Sequence, residues 1–522
     1  YNIISSIFRG MGDSKSPMYF IAVACAANIG LDYLFMGILR LGPVGAALGT
    51  TLSQAISVAV SLTIILKRKS ILLKKDDFKP YRPVMGKILK IGVPIMLGQA
   101  CVIILAFADN IMIGWHSVNE LAASSFVNNV MNFFILTELG FASGMTPIIG
   151  AFHGNGNVKG VGSTVRNGLL VNGIIGLIGL VLLAVIYLFI DSFGQEPELL
   201  PLIRPYFVIV GISIIFALGF NVLKQFTDGI CKPVVSMLFL MGGNVLNIFG
   251  NWVLIYGKLG CPELGLMGAG LSTLISRILM LLCFVLYIFK SEQFKAYAQA
   301  IKEALFSRVK MRHIFNMGYP VAIQMGLEAS TFSFSAIMVG WISVTALAAH
   351  QVAITISQLI FLMMQGLSFA LSILVSNCYG KKDYAGIHAY VKRGILMIFG
   401  TSLSLSILLY IFRYPAVGMF TDSPEVAEIA VVLFYVLFAY QIGDGIQLCF
   451  ANVLRGLQDV KPIMYAAFVS YYLIAIPVAY VLGFKAGLGA VGVWLGFPIG
   501  LTLAGLFFYA RYRSDMRRLT AE

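Results

Sequence analysis

Apolar runs follow one another along nearly the whole chain, separated by short punctuations of Gly, Pro and charged residues. Run by run they predict spans near 17–39, 44–66, 91–114, 121–151, 163–190, 202–224, 233–256, 265–289, 316–341, 346–379, 391–412, 427–454, 461–483 and 488–510, fourteen in all. Most reach the 20 or so residues that cross a hydrocarbon core of about 30 Å. Backbone groups cannot stay unpaired in lipid, so spans of this kind are expected to be helices.

The connecting loops alternate in charge. Residues 67–90 carry Lys67, Arg68, Lys69, Lys74, Lys75, Lys79, Arg82, Lys87 and Lys90, and 290–313 and 511–518 are also basic. The loops between hold Glu120, Asp191, Glu196, Glu198, Glu263, Asp422 and Glu425 instead. The basic loops are expected to face the cytoplasm, which puts both termini inside.

Composition agrees with a membrane protein: 59% of the 522 residues are hydrophobic and 11% charged, far from the balance of soluble domains. The net charge of +14 sits in loops, where it reads as a topology signal and not as a nucleic-acid surface. Seven scattered cysteines show no metal spacing. Neither a phosphate-cradling GxxxxGK[ST] loop nor HExxH is present, so no enzyme and no cofactor are expected. Energy for any work must then come from an ion gradient or a partner. The start at Tyr1, without Met or a signal peptide, reads as a beginning within a longer protein.

The chain also repeats itself. "GWHSVNELAASSF" at 114–126 returns as "GWISVTALAAHQV" at 340–352, and Pro94 pairs with Pro320, Gly140 with Gly366, Gly154 with Gly380 and Gly168 with Gly394, each 226 residues apart. Residues 84–290 and 311–518 thus read as two copies of a six-helix unit, joined by a cytoplasmic linker at 291–310. An even number of spans returns each copy to its starting side, so the repeats are parallel and related by an axis along the membrane normal. The fold class expected is an all-α polytopic membrane protein with two parallel six-helix repeats plus an extra N-terminal helix pair. Two lobes of this kind suggest transport by rocking. Within 1–70, "RGMGDSKSPM" and "LGPVGAALGTT" resemble "RGLQDVKPIM" and "LGLMGAGLSTL", so this segment reads as the last third of a third copy. A remnant of a truncated or fused neighbour is the favoured origin, a genuine accessory pair the alternative, and a basic linker at 71–83 follows it.

Ionisable side chains inside such spans cost about 2.5–3.5 kcal/mol on insertion scales and are functional candidates by default. Asp109 in "LAFADNIMIG", Glu328 in "AIQMGLEASTF" and Asp444 in "FAYQIGDGIQL" stand out. The repeat offset places Asp109 opposite Ser335 and Glu328 opposite Val102. The two lobes therefore carry their acids at depths about 10 Å apart. Asn244, Asn247 and Asn251 form an amide stripe able to face Asp109, while Tyr440 stands one turn before Asp444 with Glu328 on a neighbouring helix. Such oxygen groups suit Na⁺, particularly at Glu328 and Asp444, or a proton. A structural role locking helices together is the alternative for each acid.

The stretches "ADNIMIG", "AAHQVAI", "YQIGDGIQ" and "LRGLQDVKP" make 84–518 resemble the multidrug and toxic compound extrusion (MATE) transporter family, on its NorM-like branch. The resemblance implies a twelve-helix fold in two lobes and antiport of drugs against Na⁺ or H⁺. It implies cation coupling at Asp109, Glu328, Tyr440 and Asp444, and an N-lobe pocket that includes Asn247, Asn251 and Thr273. Asn251 stands where another branch has an acid, and the leading segment has Asp32 at that place. The expected function is a cation-coupled multidrug antiporter of the bacterial inner membrane, acting on small-molecule drugs within the bilayer as a monomer. A lipid-linked oligosaccharide flippase is the alternative; basic residues lining the cavity would favour it, whereas the intramembrane charges are expected to be acidic. A non-transporting receptor or assembly subunit is the third reading.

Overall fold

The computed structural model describes residues 82–193, 197–418 and 424–521, with the single positions Ala27 and Ser53. The chain divides into two compact units, Tyr1–Pro80 and Tyr81–Glu522, and the second is described below. The helix pair expected in 1–70, most of the 71–83 linker, and Asp32, Glu196 and Asp422 lie outside the described residues.

Twelve helices among the described residues are long and apolar enough to cross a membrane. They are α1 (Pro83–His116), α2 (Asn119–Gly154), α3 (Val158–Leu188), α4 (Leu200–Gly229), α5 (Pro233–Ile255), α6 (Leu266–Lys290), α7 (Arg308–Ile342), α8 (Thr345–Gly380), α9 (Tyr384–Ile411), α10 (Pro424–Gly456), α11 (Lys461–Lys485) and α12 (Gly489–Thr520). Each corresponds to one expected span. Several begin well before the apolar run: α1 opens at Pro83 and not near 91, and α7 at Arg308 and not near 316. Hydropathy marks the limits of the hydrocarbon, whereas the helical hydrogen-bond ladder continues through Lys87, Lys90 and Arg312 into the headgroup zone. Pro94 and Pro320, expected near helix starts, consequently lie inside α1 and α7. Proline there leaves a backbone carbonyl without its usual donor, a weak point in both lobes. On either side of the Pro477 turn, α11 widens to π-helix, over Val469–Ala475 and over Val481–Lys485.

The halves α1–α6 and α7–α12 meet where α1 and α2 pack on α7 and α8. In lipid this seam gains nothing from hydrophobicity, so it depends on close backbone approach between small residues. Gly154 faces the Asn377 carbonyl, and Gly380 faces the Ala151 carbonyl. A Cβ on either glycine would enter the opposing backbone. Both pairs are related by the 226-residue offset, so one crossing is written twice. The seam lies toward the basic ends of the four helices.

Gly154→Val is therefore expected to force the lobes apart at that end. Spin labels on Lys159→Cys and Ala389→Cys, one in each lobe, should shift to longer distances in the variant. An unchanged distance distribution would remove this seam from the account.

Between the lobes, a short helix at Lys295–Glu303 is strapped beneath α3. Arg166 donates to the Lys302 carbonyl at 2.5 Å, Asn167 donates to the Leu305 carbonyl at 3.1 Å, and Asn167 accepts from the Ser307 amide at 2.8 Å. The linker is thus bound to the first lobe up to the start of α7.

Candidate functional site

The first lobe holds a polar cluster where α1, α5 and α6 meet. The stripe on α5 faces α1 along its length, as the spacing suggests. Asn251 Nδ2 donates to Asp109 Oδ1 at 2.5 Å, and also lies 3.3 Å from Asn247 Oδ1. With the Asn247 amide turned so that its nitrogen faces the carboxylate, that nitrogen donates to Asp109 Oδ1 at 2.9 Å and lies 3.3 Å from the Asn251 nitrogen. Its oxygen then accepts from Thr273 N at 3.2 Å and Thr273 Oγ1 at 3.1 Å. Asp109, Asn247, Asn251 and Thr273 are one connected group, and Asn247 and Asn251 are fully buried. Asn244 stands apart from the carboxylate. Seven residues before Asn251 on the same helix, it donates to the Cys101 carbonyl at 2.7 Å and ties α5 to α1 at another depth.

Four residues that the sequence reading did not single out, Arg277, Tyr206, Ser213 and Glu138, connect to this group through Arg277. Arg277 on α6 is half-buried and donates to Ser213 Oγ at 2.7 Å, and its charge reaches Asp109, Glu138 and Tyr206. Glu138 on α2 is only 5% exposed and is enclosed by Phe134, Gly176, Gly179 and Leu218. Glu138 and Arg277 lie inside apolar runs, as "FFILTELGF" and "LISRILMLL", so the rule that found Asp109 applies to them equally.

In the second lobe, α7, α10, α11 and α12 gather the acids. Glu328 accepts from Gln324 Nε2 at 2.9 Å, and Gln324 Oε1 in turn accepts a short hydrogen bond from Arg455. Tyr440 is buried, with its ring edge-on to Phe332 and Phe497. Asp444 is fully buried, and neither carboxylate oxygen has a hydrogen-bond partner. It is close enough to Glu328 to interact electrostatically. Tyr471, in the π-helical stretch of α11, brings a buried unpartnered hydroxyl to the same neighbourhood. His350 accepts a hydrogen bond from Trp494 Nε1 at 2.9 Å, which fits a packing role.

Beside these groups lies a cavity of about 360 Å³. Phe332, Phe361, Phe369, Trp494, Met325 and Tyr440 form its apolar wall, and Leu136 reaches in from the first lobe. Glu328, Gln324, Gln447, Asn452 and Arg455 supply its polar lining. Asp444 does not line it, though it interacts with Tyr440, which does. The presence of Arg455 corrects one expectation: the intramembrane charges are not all acidic, since Arg455 lines the cavity and Arg277 stands in the other lobe. Glutamine and asparagine oxygens hold the Arg455 guanidinium, which makes its burial tolerable.

This architecture is shared with known transporters. The chain is 29% identical over 447 residues to the multidrug resistance protein NorM of Photobacterium profundum, covering 83% of this chain and 96% of that one. It is 29% identical over 437 residues to NorM of Vibrio cholerae, with 83% and 95% covered. A solved structure of MATE in the bent conformation superposes with a TM-score of 0.78 at 19% identity, over 84% of this chain and 96% of that one. The outward-facing conformation of a multidrug resistance MATE family transporter gives 0.76 at 18%, covering 84% and 97%. The family model MatE matches residues 94–253 and again 320–481, more than half of the chain and once in each repeat. The chain therefore belongs to the MatE family, as a NorM-like MATE transporter.

Proposed function

We propose that the protein is a cation-coupled antiporter that exports amphipathic organic cations and other drugs across the bacterial inner membrane. The observation that carries this reading is a drug-sized aromatic cavity lined by Glu328, close to Asp444, a buried carboxyl without a partner of its own. Cavities of about 300–1,000 Å³ hold most drug-sized ligands. Aromatic and methionine walls accept varied apolar cations through cation–π and dispersion contacts. Asp444, Glu328 and Tyr440 offer oxygen ligands to Na⁺ or a seat for a proton, and Asp109 with Asn247, Asn251 and Thr273 forms a second candidate seat. A cation on these acids favours one arrangement of the lobes, and a drug in the cavity favours the other. With the basic ends in the cytoplasm, the seam at Gly154 and Gly380 closes the inner side, which suits a state open to the outside. The protein acts as a monomer on small molecules, with the bilayer as its only other partner.

The flippase alternative draws support from Arg455. A single guanidinium paired through an amide with Glu328 is a poor match for a lipid diphosphate, which would meet an acid in the same cavity.

Ethidium efflux from cells, with Na⁺ present or absent, tests the reading. Asp109→Asn and Asp444→Asn should each cut efflux at least tenfold at equal expression, about 1.4 kcal/mol or more of lost coupling. Intact efflux in both variants would remove the acids from the mechanism. A wild type that exports no drug would favour the flippase.

A further inference from the structure

The segment joining the two lobes carries apolar side chains that no protein covers. Leu305 is 82% exposed and Val309 80%, and Phe306 is also exposed. Their backbone is nevertheless held in place. Asn167 on α3 binds the Leu305 carbonyl and the Ser307 amide, and the Arg166 guanidinium lies 4.9 Å from the centre of the Phe306 ring. These contacts fix the depth of the tip. Asn167 stands nine residues past the start of α3 at Val158, about 14 Å along the helix axis. The next exposed side chains on α3 are Leu169 and Leu170, where its lipid-facing strip begins. Leu305 and Phe306 are therefore level with the edge of the hydrocarbon.

Positive charge surrounds this tip. Residues 290–313 contain six Lys or Arg against two Glu. Three of the six are engaged: Lys295 pairs with Glu292, Lys302 lies over the Phe289 ring, and Lys310 donates to Ser163 Oγ at 2.7 Å. Arg308 and Arg312 have no carboxylate within ion-pair distance among the described residues. One turn apart on α7, they share its exposed face with Val309, because Lys310, Ile314 and Met317 lie on the face turned to the protein. Apolar side chains at the hydrocarbon edge with cations just outside them are the pattern of a chain that lies in a bilayer interface. A guanidinium fork also matches the paired oxygens of a phosphate. We infer that the linker tip and the first turn of α7 form a seat for an anionic phospholipid, with its phosphate at Arg308 and Arg312 and its acyl chains along Leu305, Phe306 and Val309. A zwitterionic lipid offers the same phosphate but brings a cation that the two arginines repel. A free phosphate would use the arginines and leave the apolar tip uncovered. The seat lies at the joint between the lobes, since the linker is bound to the first lobe up to Ser307 and Arg308 opens the second. It does not depend on what the protein transports.

The test titrates the purified full-length protein, in a nonionic detergent, with phosphatidylglycerol carrying a fluorophore on one acyl chain and with the matched phosphatidylcholine. Wild type should bind the anionic lipid about tenfold or more tightly. Arg308→Gln combined with Arg312→Gln should bring that ratio below about threefold. Leu305→Ser combined with Phe306→Ser should weaken both lipids together and keep the ratio. Lys381→Gln with Lys382→Gln, an exposed basic pair just past α8, should change neither lipid. A wild-type ratio near one, an undiminished ratio in the arginine variant, or an equal fall in the lysine variant would overturn the seat. Full displacement of the lipid by millimolar inorganic phosphate would make it a free-anion site and overturn it as a lipid site. The wild-type ratio needs no variant, so a variant that fails to fold does not protect the proposal.

Discussion

Asp444→Asn is expected to raise the melting temperature of the purified protein in ion-free buffer while abolishing drug export. Asp444 is fully buried with no donor to either oxygen, and it faces the charge of Glu328. A buried polar group without partners costs about 1–3 kcal/mol, and more when charged. Where both carboxyls are ionised, the substitution removes their repulsion, and it breaks no hydrogen bond. The gain should be about 1–3 kcal/mol, a rise of a few degrees for a chain of this size. The same substitution removes the site's reason for binding a cation. Wild type should therefore be stabilised by the coupling ion, by about 2.7 kcal/mol at a hundredfold excess over its dissociation constant. The variant should be nearly indifferent to it. Thermal unfolding across Na⁺ concentration and across pH reads both effects, and a less stable variant that still responds to the ion would contradict the argument.

The corresponding change in the first lobe should move stability the other way. Asp109 accepts from Asn251 at 2.5 Å and shares its surroundings with the Arg277 guanidinium. In Asp109→Asn, Arg277 keeps its charge and loses part of what balances it. Removing one partner of a buried charged pair costs about 3–5 kcal/mol, and less here because the two groups interact through space and Glu138 also faces Arg277. A loss of about 2–3 kcal/mol is expected. Adding Arg277→Met to Asp109→Asn should recover much of it, because the charge that needed balancing is then gone. A double-mutant cycle measures the coupling directly. Additive effects would separate Arg277 from the Asp109 cluster.

The opposite signs follow from a difference that was partly visible in the chain itself. The 226-residue offset revealed two copies of a six-helix unit, and the misalignment of Asp109 with Ser335 and of Glu328 with Val102 showed that their chemistry differs. The pairing of Asn251 with Asp109 was legible because an i, i+4 amide pair on α5 runs alongside α1. Asn244 escaped this logic because sharing a helix face says nothing about depth: it meets α1 at Cys101, two turns from the carboxylate. Glu138, Arg277 and Arg455 were present in apolar runs and were passed over. Two of the three are arginines, which no pattern of cation ligands selects, and Arg455 stands just past the expected span 427–454. That Asp444 has no partner while Asp109 has two was beyond the sequence, since it depends on which helices of the bundle turn amides inward.

The asymmetry assigns different tasks to the lobes within the proposed mechanism. The first lobe holds its acid with amide donors, a preformed seat that changes little. The second lobe holds Asp444 unsatisfied beside a drug-sized cavity, an arrangement whose free energy depends strongly on whether a cation is present. Differential affinity for two states is the only way a ligand can shift an equilibrium between them. An unpartnered acid supplies such a difference more readily than a satisfied one.

Counterflow in proteoliposomes tests this most directly. Vesicles containing the purified protein and preloaded with ethidium are given an ion gradient, Na⁺ or H⁺, in separate arms. Wild type should move ethidium against its own gradient in at least one arm, and Asp444→Asn should in both arms only equilibrate it, if it moves the dye at all. Equal uphill movement by wild type and variant would contradict the claim that the buried acid couples the ion to the drug.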